Sequence, residues 1–471
     1  MRRLFTDSAT VHAAVTLLLV APFFVLRDLP LYDLPNHIAR QHILFGDGAP
    51  GAAQYYTAQW RLLPNLALDA WVGAFHHLVS VDLAVRLFLA ATVTQLFWGT
   101  IALNRALFGP RSRFALVAAS FAFNGPFLLG FVNLCFGLGM ALWTMAAWIK
   151  WRDRGWALPL FAFLSCLILL AHLFALAIYA VIVVAFELGE LQHGWRAVRR
   201  EFLALLHLAA PAVLYFGFMP REVTRGAIYY LPWLEKFGAL RSILGFYNPQ
   251  FDVVCLALLL VGGLLVAARI QLAREMALPL AALVIADIAL PHQLGEGTFV
   301  DYRMPTVLAL FLSASLGWRE GERRTRRVAE SLVLLLFAFR MGAMLWQWHS
   351  WQPDFAQYRA AFAQLPEGAK LLPLAEDPNA LDPLQHPPLG HIAALAVSER
   401  GALIPDLFAE RGHQLLRYRE PRLFDLNPSA ASAKDYDYVL LLNPAALDAA
   451  NLPAYEPIAR GRTFLLGKIA R

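Results

Sequence analysis

The chain has 471 residues, of which 59% are hydrophobic and only 16% are charged, and its mean hydropathy is +0.51. A soluble globular protein is typically about 25% charged and about 45–50% apolar, so the composition excludes a large water-soluble protein and predicts a polytopic membrane protein. The net charge of +6 comes from 40 Lys and Arg against 34 Asp and Glu. No basic run interleaved with aromatic residues accompanies it, so we expect no nucleic-acid partner.

Apolar stretches indicate an α-helical protein that crosses the membrane about eleven times, since about 20 residues are needed to cross about 30 Å of hydrocarbon. The first stretch follows Met1-Arg2-Arg3 and has no small-residue cleavage site after it, so it is interpreted as an uncleaved span. The stretches are Val11–Leu26, Leu83–Leu107, Phe114–Phe127, Leu134–Trp151, Leu158–His172, Phe174–Phe186, Phe202–Met219, Val253–Ala268, Leu278–Leu290, Pro305–Trp318 and Leu332–Trp346.

Clusters of Lys and Arg fall at every second junction between these stretches, which predicts a cytoplasmic N-terminus by the positive-inside rule. The outer loops are then residues 27–81, 220–251 and 291–305. We therefore expect a transmembrane domain at 1–347 and an extramembrane domain, on the outer side, at 348–471.

The last 120 or so residues are more polar and rich in Pro and Asp, and they predict a small α/β domain. The expected strands are Lys370–Leu374, Tyr438–Leu442 and Thr463–Lys468, and the expected helices are Phe355–Gln364 and Gly390–Val397.

The first outer loop carries the best candidates for chemistry. Pro35 suits the first turn of a helix and keeps Leu34 out of the helical region, so a short helix is expected to begin there. Asp33, His37 and Arg40 would then lie near one helical face, with Arg40 keeping Asp33 ionised. The alternative is that Asp33 only caps the helix and Arg40 pairs with lipid headgroups. Further along this loop, Tyr55–Val79 is amphipathic and predicts a helix lying flat in the membrane interface.

Later outer loops hold candidates for binding a phosphate or a sugar. Arg225 lies beside aromatic residues, although an ordinary solvated loop is the alternative. His292, Asp301 and Arg303 adjoin the start of a span, where ionisable groups are costly and often functional; the alternative is an Asp301–Arg303 ion pair or snorkelling. His172, between two apolar stretches, is a weaker candidate, and a hydrogen-bonded packing role is the alternative.

Together these features resemble the GT-C superfamily of membrane glycosyltransferases, which includes protein O-mannosyltransferases and the aminoarabinose transferase of lipid A. The resemblance rests on the cytoplasmic N-terminus, the long first outer loop with its early acid Asp33, about ten further spans and an outer C-terminal domain. It implies a polyprenyl-phosphate sugar donor, a lipid, glycan or protein acceptor, and a site on the outer, periplasmic face of the inner membrane.

Carried over by residue, the resemblance implies Asp33 as acid/base, and Arg40, Arg225 and Arg303 as candidates for the phosphate contact. From the residues themselves, His37 is a further catalytic candidate. Asp301, His292 and His172 are further candidates for binding the substrate or the lipid phosphate. The family usually has a second acid, whereas Asp33 is followed by Pro35-Asn36-His37. We therefore expect no obligatory cofactor, with a divalent metal left as an open alternative.

Three other functions stay open. A transporter or lipid flippase would carry paired ionisable groups deep within its spans, where the sequence offers only Asp287, Arg86 and several histidines. A non-catalytic scaffold would bind through the C-terminal domain. A polymerase or ligase for surface polysaccharide would use the same donor and location.

Overall fold

The structure is a computed structural model that describes residues 8–46, 51–110, 112–190, 205–220, 227–245, 247–295, 297–375, 389–409, 414–425, 429–445, 447 and 452–470. The chain forms two compact units. The first comprises Met1–Pro22, Pro64–Leu68 and Leu89–Met344, and the second comprises Phe23–Leu63, Asp69–Phe88 and Leu345–Arg471. The second unit thus joins much of the first outer loop to the C-terminal region. The division into a transmembrane domain at 1–347 and a periplasmic domain at 348–471 stays a prediction.

Helices dominate the fold. In chain order, the α-helices of the described residues are Ser8–Val20, Pro22–Val25, Leu34–Phe45, Ala67–Phe75, Val81–Phe108, Gly125–Leu129, Val132–Trp151, Ala157–Ala171, Leu173–Glu190, Ala209–Phe218, Trp233–Gly238, Pro249–Val266, Ala277–Ala289, Met304–Ser315, Arg323–Ser350, Gln352–Phe362 and Ala394–Arg400.

Four helical segments among the described residues are long and apolar enough to cross a membrane: Val81–Phe108, Val132–Trp151, Pro249–Arg269 and Arg323–Phe362. Only 11% of the apolar window of Pro249–Arg269 is buried inside the protein, and Leu264 and Leu265 are 75% and 79% exposed. An apolar surface of this extent is rare on a soluble monomer. It is compatible with contact to lipid tails.

A helix occurs in each of the predicted apolar stretches, but most are too short to be assigned as spans. The shorter apolar segments are Ala9–Val20, Phe114–Leu129, Ala157–Ala171, Leu173–Gly189 and Leu206–Phe218. The helix-rich class is therefore confirmed, whereas a count of eleven spans is not. Part of the predicted stretch Phe202–Met219 lies outside the described residues.

Close backbone packing positions the centre of the first unit. The stretch Phe114–Phe121 is a 3-10 helix, and Asn124 then caps the helix Gly125–Leu129 by accepting a hydrogen bond from the Phe127 N–H at 3.0 Å. Gly245 has a φ of +51°, and a Cβ added there would lie 2.4 Å from the Gly125 nitrogen. Only glycine allows the two backbones to approach so closely.

The first unit also contains two small antiparallel ribbons. The strand Ala227–Tyr229 pairs with Gln293–Gly295, and Ile270–Leu272 pairs with Leu316–Trp318. The second ribbon ends the predicted span Pro305–Trp318 early, at Ser315.

The second unit is built around a four-stranded sheet, counted over the described part of the chain. Leu371–Leu374 runs parallel to Tyr438–Leu442, which pairs antiparallel with Phe464–Ile469, and that strand pairs antiparallel with Tyr455–Arg460. The helices Gln352–Phe362 and Ala394–Arg400 belong to the same unit. The predicted α/β composition of the C-terminal region is confirmed, and the strand Tyr438–Leu442 has the predicted bounds.

The first outer loop is partly as predicted. A helix spans Leu34–Phe45 with Pro35 in its first turn. The single flat helix predicted over Tyr55–Val79 is wrong, because Tyr56–Ala58 is a strand paired with Leu416–Tyr418 and the helix begins only at Ala67. Pro64 disfavours helical backbone in the residue before it, and Asn65 has a φ of +78°. Both features interrupt a continuous helix.

Candidate functional site

Asp33 occupies the cap position of the helix Leu34–Phe45, but its side chain makes no capping hydrogen bond. Only its backbone oxygen takes part, accepting from the His37 N–H at 3.1 Å. The alternative that the Asp33 carboxylate merely caps the helix is therefore wrong. The carboxylate is largely sequestered, with a side-chain exposure of 13%, and it is directed at another residue.

That residue is His391, which bridges two carboxylates within the second unit. Its Nε2 lies 3.4 Å from Asp33 Oδ1, and its Nδ1 lies 3.4 Å from Asp406 Oδ2. The three side chains come from segments far apart in sequence. The link is reinforced by Asn36 Nδ2, which donates to the Asp406 backbone oxygen at 3.4 Å across 370 residues of chain.

The charge state of His391 follows from its neighbours. Burial alone would lower the pKa of this imidazole, but contacts with the carboxylates of Asp33 and Asp406 outweigh it and raise the pKa to about 10. His391 is therefore a cation at neutral pH. These interactions stabilise the folded state fully below the unfolded pKa of about 6.5, and the contribution is lost as the pH rises towards 10.

Aromatic rings enclose this cluster. The Tyr32 ring meets the His391 ring edge-on at 5.0 Å, and the Phe408 ring lies 5.7 Å from it. Burial, with the charges of Asp33 and Asp406, raises the pKa of Tyr32 to about 12, so its hydroxyl keeps its proton. A Cβ on Gly390 would come within 2.3 Å of that hydroxyl, which is why a side chain cannot be accommodated beside His391.

Arg40 has a partner other than the expected one. Its guanidinium donates to Asp69 and to Gln414, and Gln41 Nε2 donates to the other Asp69 oxygen at 2.8 Å. Arg40 and Asp69 are only 2% and 3% exposed. The expectation that Arg40 keeps Asp33 ionised is corrected, since His391 is the cation next to Asp33. A phosphate contact by Arg40 stays a prediction, and it would compete with Asp69.

His37 does lie beside the cluster. It is 7% exposed, and its ring packs edge-on against Phe408 at 5.3 Å. Because Phe408 also contacts His391, the two imidazoles share one aromatic wall.

Four other candidates belong to the first unit. His292 Nδ1 and Asp301 Oδ1 are 2.9 Å apart, and Asp301 is 1% exposed. The Arg303 guanidinium lies over the rings of Phe131 and Phe174 at 4.6 and 5.7 Å, and it donates to the Thr298 oxygen.

His172 has a role in the local structure. It joins the helices Ala157–Ala171 and Leu173–Glu190, and its Nδ1 accepts from the Phe174 N–H at 3.1 Å. This geometry agrees with the packing alternative for His172. The remaining candidate, Arg225, lies outside the described residues.

The sequence-predicted site omits His391 and Asp406. In the sequence they are polar residues of the C-terminal region with no recognised spacing, so nothing local marks them.

In the part of the chain that the structure describes, no group of three or more His, Cys, Asp or Glu side chains is arranged to hold a metal ion. Both ring nitrogens of His391 face carboxylates. The cluster as built is thus a set of ion pairs.

The comparisons with known proteins give no further guide to this site. No protein-family model matches the sequence, and no curated protein matches it significantly.

Proposed function

We propose that this protein is a GT-C-like glycosyltransferase that moves a sugar from a polyprenyl-phosphate donor to an acceptor at the outer face of the membrane, with Asp33 as acid/base. The observation that carries the proposal is the Asp33 carboxylate itself. It does not cap its helix, and it lies 3.4 Å from the cationic imidazole of His391. A carboxylate that is held in one position and left free of capping can accept a proton from a neighbouring hydroxyl.

In the proposed reaction, Asp33 takes the proton of an acceptor hydroxyl while the acceptor oxygen attacks the anomeric carbon. The bond between that carbon and the phosphate oxygen breaks, and its electron pair leaves with the polyprenyl phosphate. A well-placed general base contributes about 10²–10⁴-fold to such a step. His37, with its ring against Phe408 at 5.3 Å, is kept as an auxiliary group of this site.

Binding of the donor phosphate needs cationic or hydrogen-bonding groups. Arg303 supplies a guanidinium held over aromatic rings, and His292 supplies an imidazole held by the buried Asp301. These observations support their candidacy without assigning the phosphate to either. Periplasmic orientation and a lipid, glycan or protein acceptor belong to the same proposal.

The test is release of polyprenyl phosphate from a panel of polyprenyl-phosphate sugars by the purified full-length protein. We expect Asp33→Asn to lower turnover at least about 100-fold, the lower end of what a general base contributes. The matched control is Asp82→Asn: Asp82 also faces a histidine, with Oδ1 3.2 Å from His42 Nε2, but is 59% exposed. Equal turnover in wild type and Asp33→Asn, or none in correctly folded wild type, would refute the proposal.

One observation favours the transporter alternative. In the first unit, Arg340 Nη1 lies 3.2 Å from Asp252 Oδ1, and the two residues are 7% and 3% exposed. They connect the helices Pro249–Val266 and Arg323–Ser350, and buried charges between apolar helices often mark a transport path. The sequence suggested Asp287 and Arg86 as the paired groups of a transporter. This pair is not supported, because Arg86 donates to the backbone oxygens of Phe23, Leu26 and Arg27.

Reconstituted vesicles distinguish the two functions. If the protein moves labelled lipid or sugar across the bilayer, and Asp252→Asn abolishes this flux while Asp33→Asn does not, transport is the better description. If Asp33→Asn abolishes sugar transfer and no flux is detected, the transferase description stands.

A further inference from the structure

His391 presents each of its two ring nitrogens to a different carboxylate. Its two ring nitrogens lie on different edges of the imidazole, and each faces one acid at 3.4 Å. A neutral imidazole has one N–H donor, whereas the protonated ring has two. A cation placed between two carboxylates is stabilised by both of them, so this placement favours the protonated form of the ring.

The surroundings hold this ring in place. Tyr32 and Phe408 pack against it at 5.0 and 5.7 Å, and Asn36, from the helix that follows Asp33, donates to the backbone of Asp406. Among the residues that the structure describes, the titratable groups that face His391 are Asp33 and Tyr32 on one segment and Asp406 on the other, with His37 beyond Phe408. All of them belong to the second unit.

We infer that His391 is a positioning residue, a cation that holds the Asp33 carboxylate in place for proton transfer, and that Asp406 holds His391 in this role. The inference rests on the proposed function, in which Asp33 is the group that touches the substrate. It assigns the C-terminal region a part in the chemistry, since His391 and Asp406 both lie there. The raised pKa of His391, about 10, supports the geometry.

The first test is the pH profile of turnover. His391→Gln retains a hydrogen-bonding side chain but removes the charge beside Asp33, so we expect lower turnover. It should also remove the fall in turnover that the wild type shows at high pH, where His391 loses its proton near pH 10. His391→Lys restores a positive charge and should recover part of the activity. Asp406→Asn should move the high-pH fall in turnover to lower pH, because it removes a carboxylate that raises the pKa of His391.

The control is His42→Gln, which removes a second Asp–His pair among the described residues of this unit, at 3.2 Å, in which the carboxylate of Asp82 is 59% exposed. It should leave both turnover and its pH profile unchanged. An effect on stability alone would lower turnover equally at every pH, and His391→Lys would not reverse it.

The second test does not depend on turnover. NMR of histidine-labelled protein, with the His391 signal assigned by its absence in His391→Gln, follows the protonation of the ring directly. In the wild type it should stay protonated at pH 8 and lose its proton near pH 10. In Asp33→Asn and Asp406→Asn the midpoint should fall.

The outcomes separate the two proposals. If His391→Gln turns over at the wild-type rate with an unchanged pH profile, the positioning role is overturned. An NMR titration midpoint of His391 near pH 6.5 would overturn it too. If neither wild type nor Asp33→Asn releases polyprenyl phosphate, the proposed function fails, and the positioning role that rests on it fails too. The titration then still decides whether His391 is the cation between Asp33 and Asp406.

Discussion

At the scale of single residues, the positions of charges in the structure depend on partners that are distant in sequence. Helical spacing correctly places Asp33, His37 and Arg40 on and around one short helix. It cannot show that the cation next to Asp33 is His391, because that contact is made only when the first outer loop and the C-terminal region fold into one unit. Arg40, the nearer cation along the chain, is instead paired with Asp69.

The Arg40–Asp69 pair gives a prediction about stability. Arg40→Met should lower the free energy of unfolding by about 3–5 kcal/mol, because it leaves a buried carboxylate without its cation. Chemical denaturation of the purified protein, followed by tryptophan fluorescence, measures the change. The matched control is Arg422→Met, which removes an arginine paired with Glu420 and Asp435 but 69% exposed, and it should be indistinguishable from wild type. A similarly small effect in Arg40→Met would show that the buried pair contributes little.

At the scale of elements, local signals identify where helices begin more reliably than where they continue. Pro35 lies in the first turn of its helix as predicted. Pro64 breaks an amphipathic pattern that otherwise reads as one helix, and the strand Tyr56–Ala58 forms because Leu416–Tyr418 is available as its partner. Periodicity alone contains no information about that partner.

The contact between Gly245 and Gly125 gives a prediction at this scale. Gly245→Ala should destabilise the first unit, because its Cβ would lie 2.4 Å from the Gly125 nitrogen. Overpacking of this kind costs about 1–3 kcal/mol, and the positive φ adds about 1–2 kcal/mol. Thermal unfolding in detergent measures the change.

The control for this substitution has the opposite expected sign. Gly217 lies in the helix Ala209–Phe218, and a Cβ there would meet no atom within 4 Å. Gly217→Ala should be neutral or more stable by up to about 1 kcal/mol. If the two alanine variants unfold at the same temperature, the close backbone approach is not important for stability.

At the scale of the whole molecule, the exposed apolar side chains and the distribution of Lys and Arg both bear on how the chain is expected to lie in a membrane. The helix Pro249–Val266 exposes leucines and valines along its length, which is favourable in lipid and costly in water. The Lys and Arg clusters predict on which side of the membrane the ends of such helices lie.

That orientation is tested by cysteine labelling of intact cells with a membrane-impermeant maleimide. In a background lacking Cys135, Cys166 and Cys255, a cysteine replacing exposed Arg422 should be labelled from outside. A cysteine replacing Glu320, within the basic cluster 319–327, should be labelled only after the cells are opened. Labelling of both positions from the same side would contradict the positive-inside assignment.

The sequence by itself determined the helix-rich class, the apolar segments, the helix at Leu34–Phe45 and the α/β character of the C-terminal region. These properties depend on composition, on periodicity and on residues such as Pro35, which act within a few neighbours along the chain. Only the tertiary structure decided that Asp33 faces His391 and Asp406, that Arg40 is paired with Asp69, and that Tyr56–Ala58 is a strand. Each of these is a contact between segments far apart in sequence, whose interaction free energy is realised only when folding brings the two segments together.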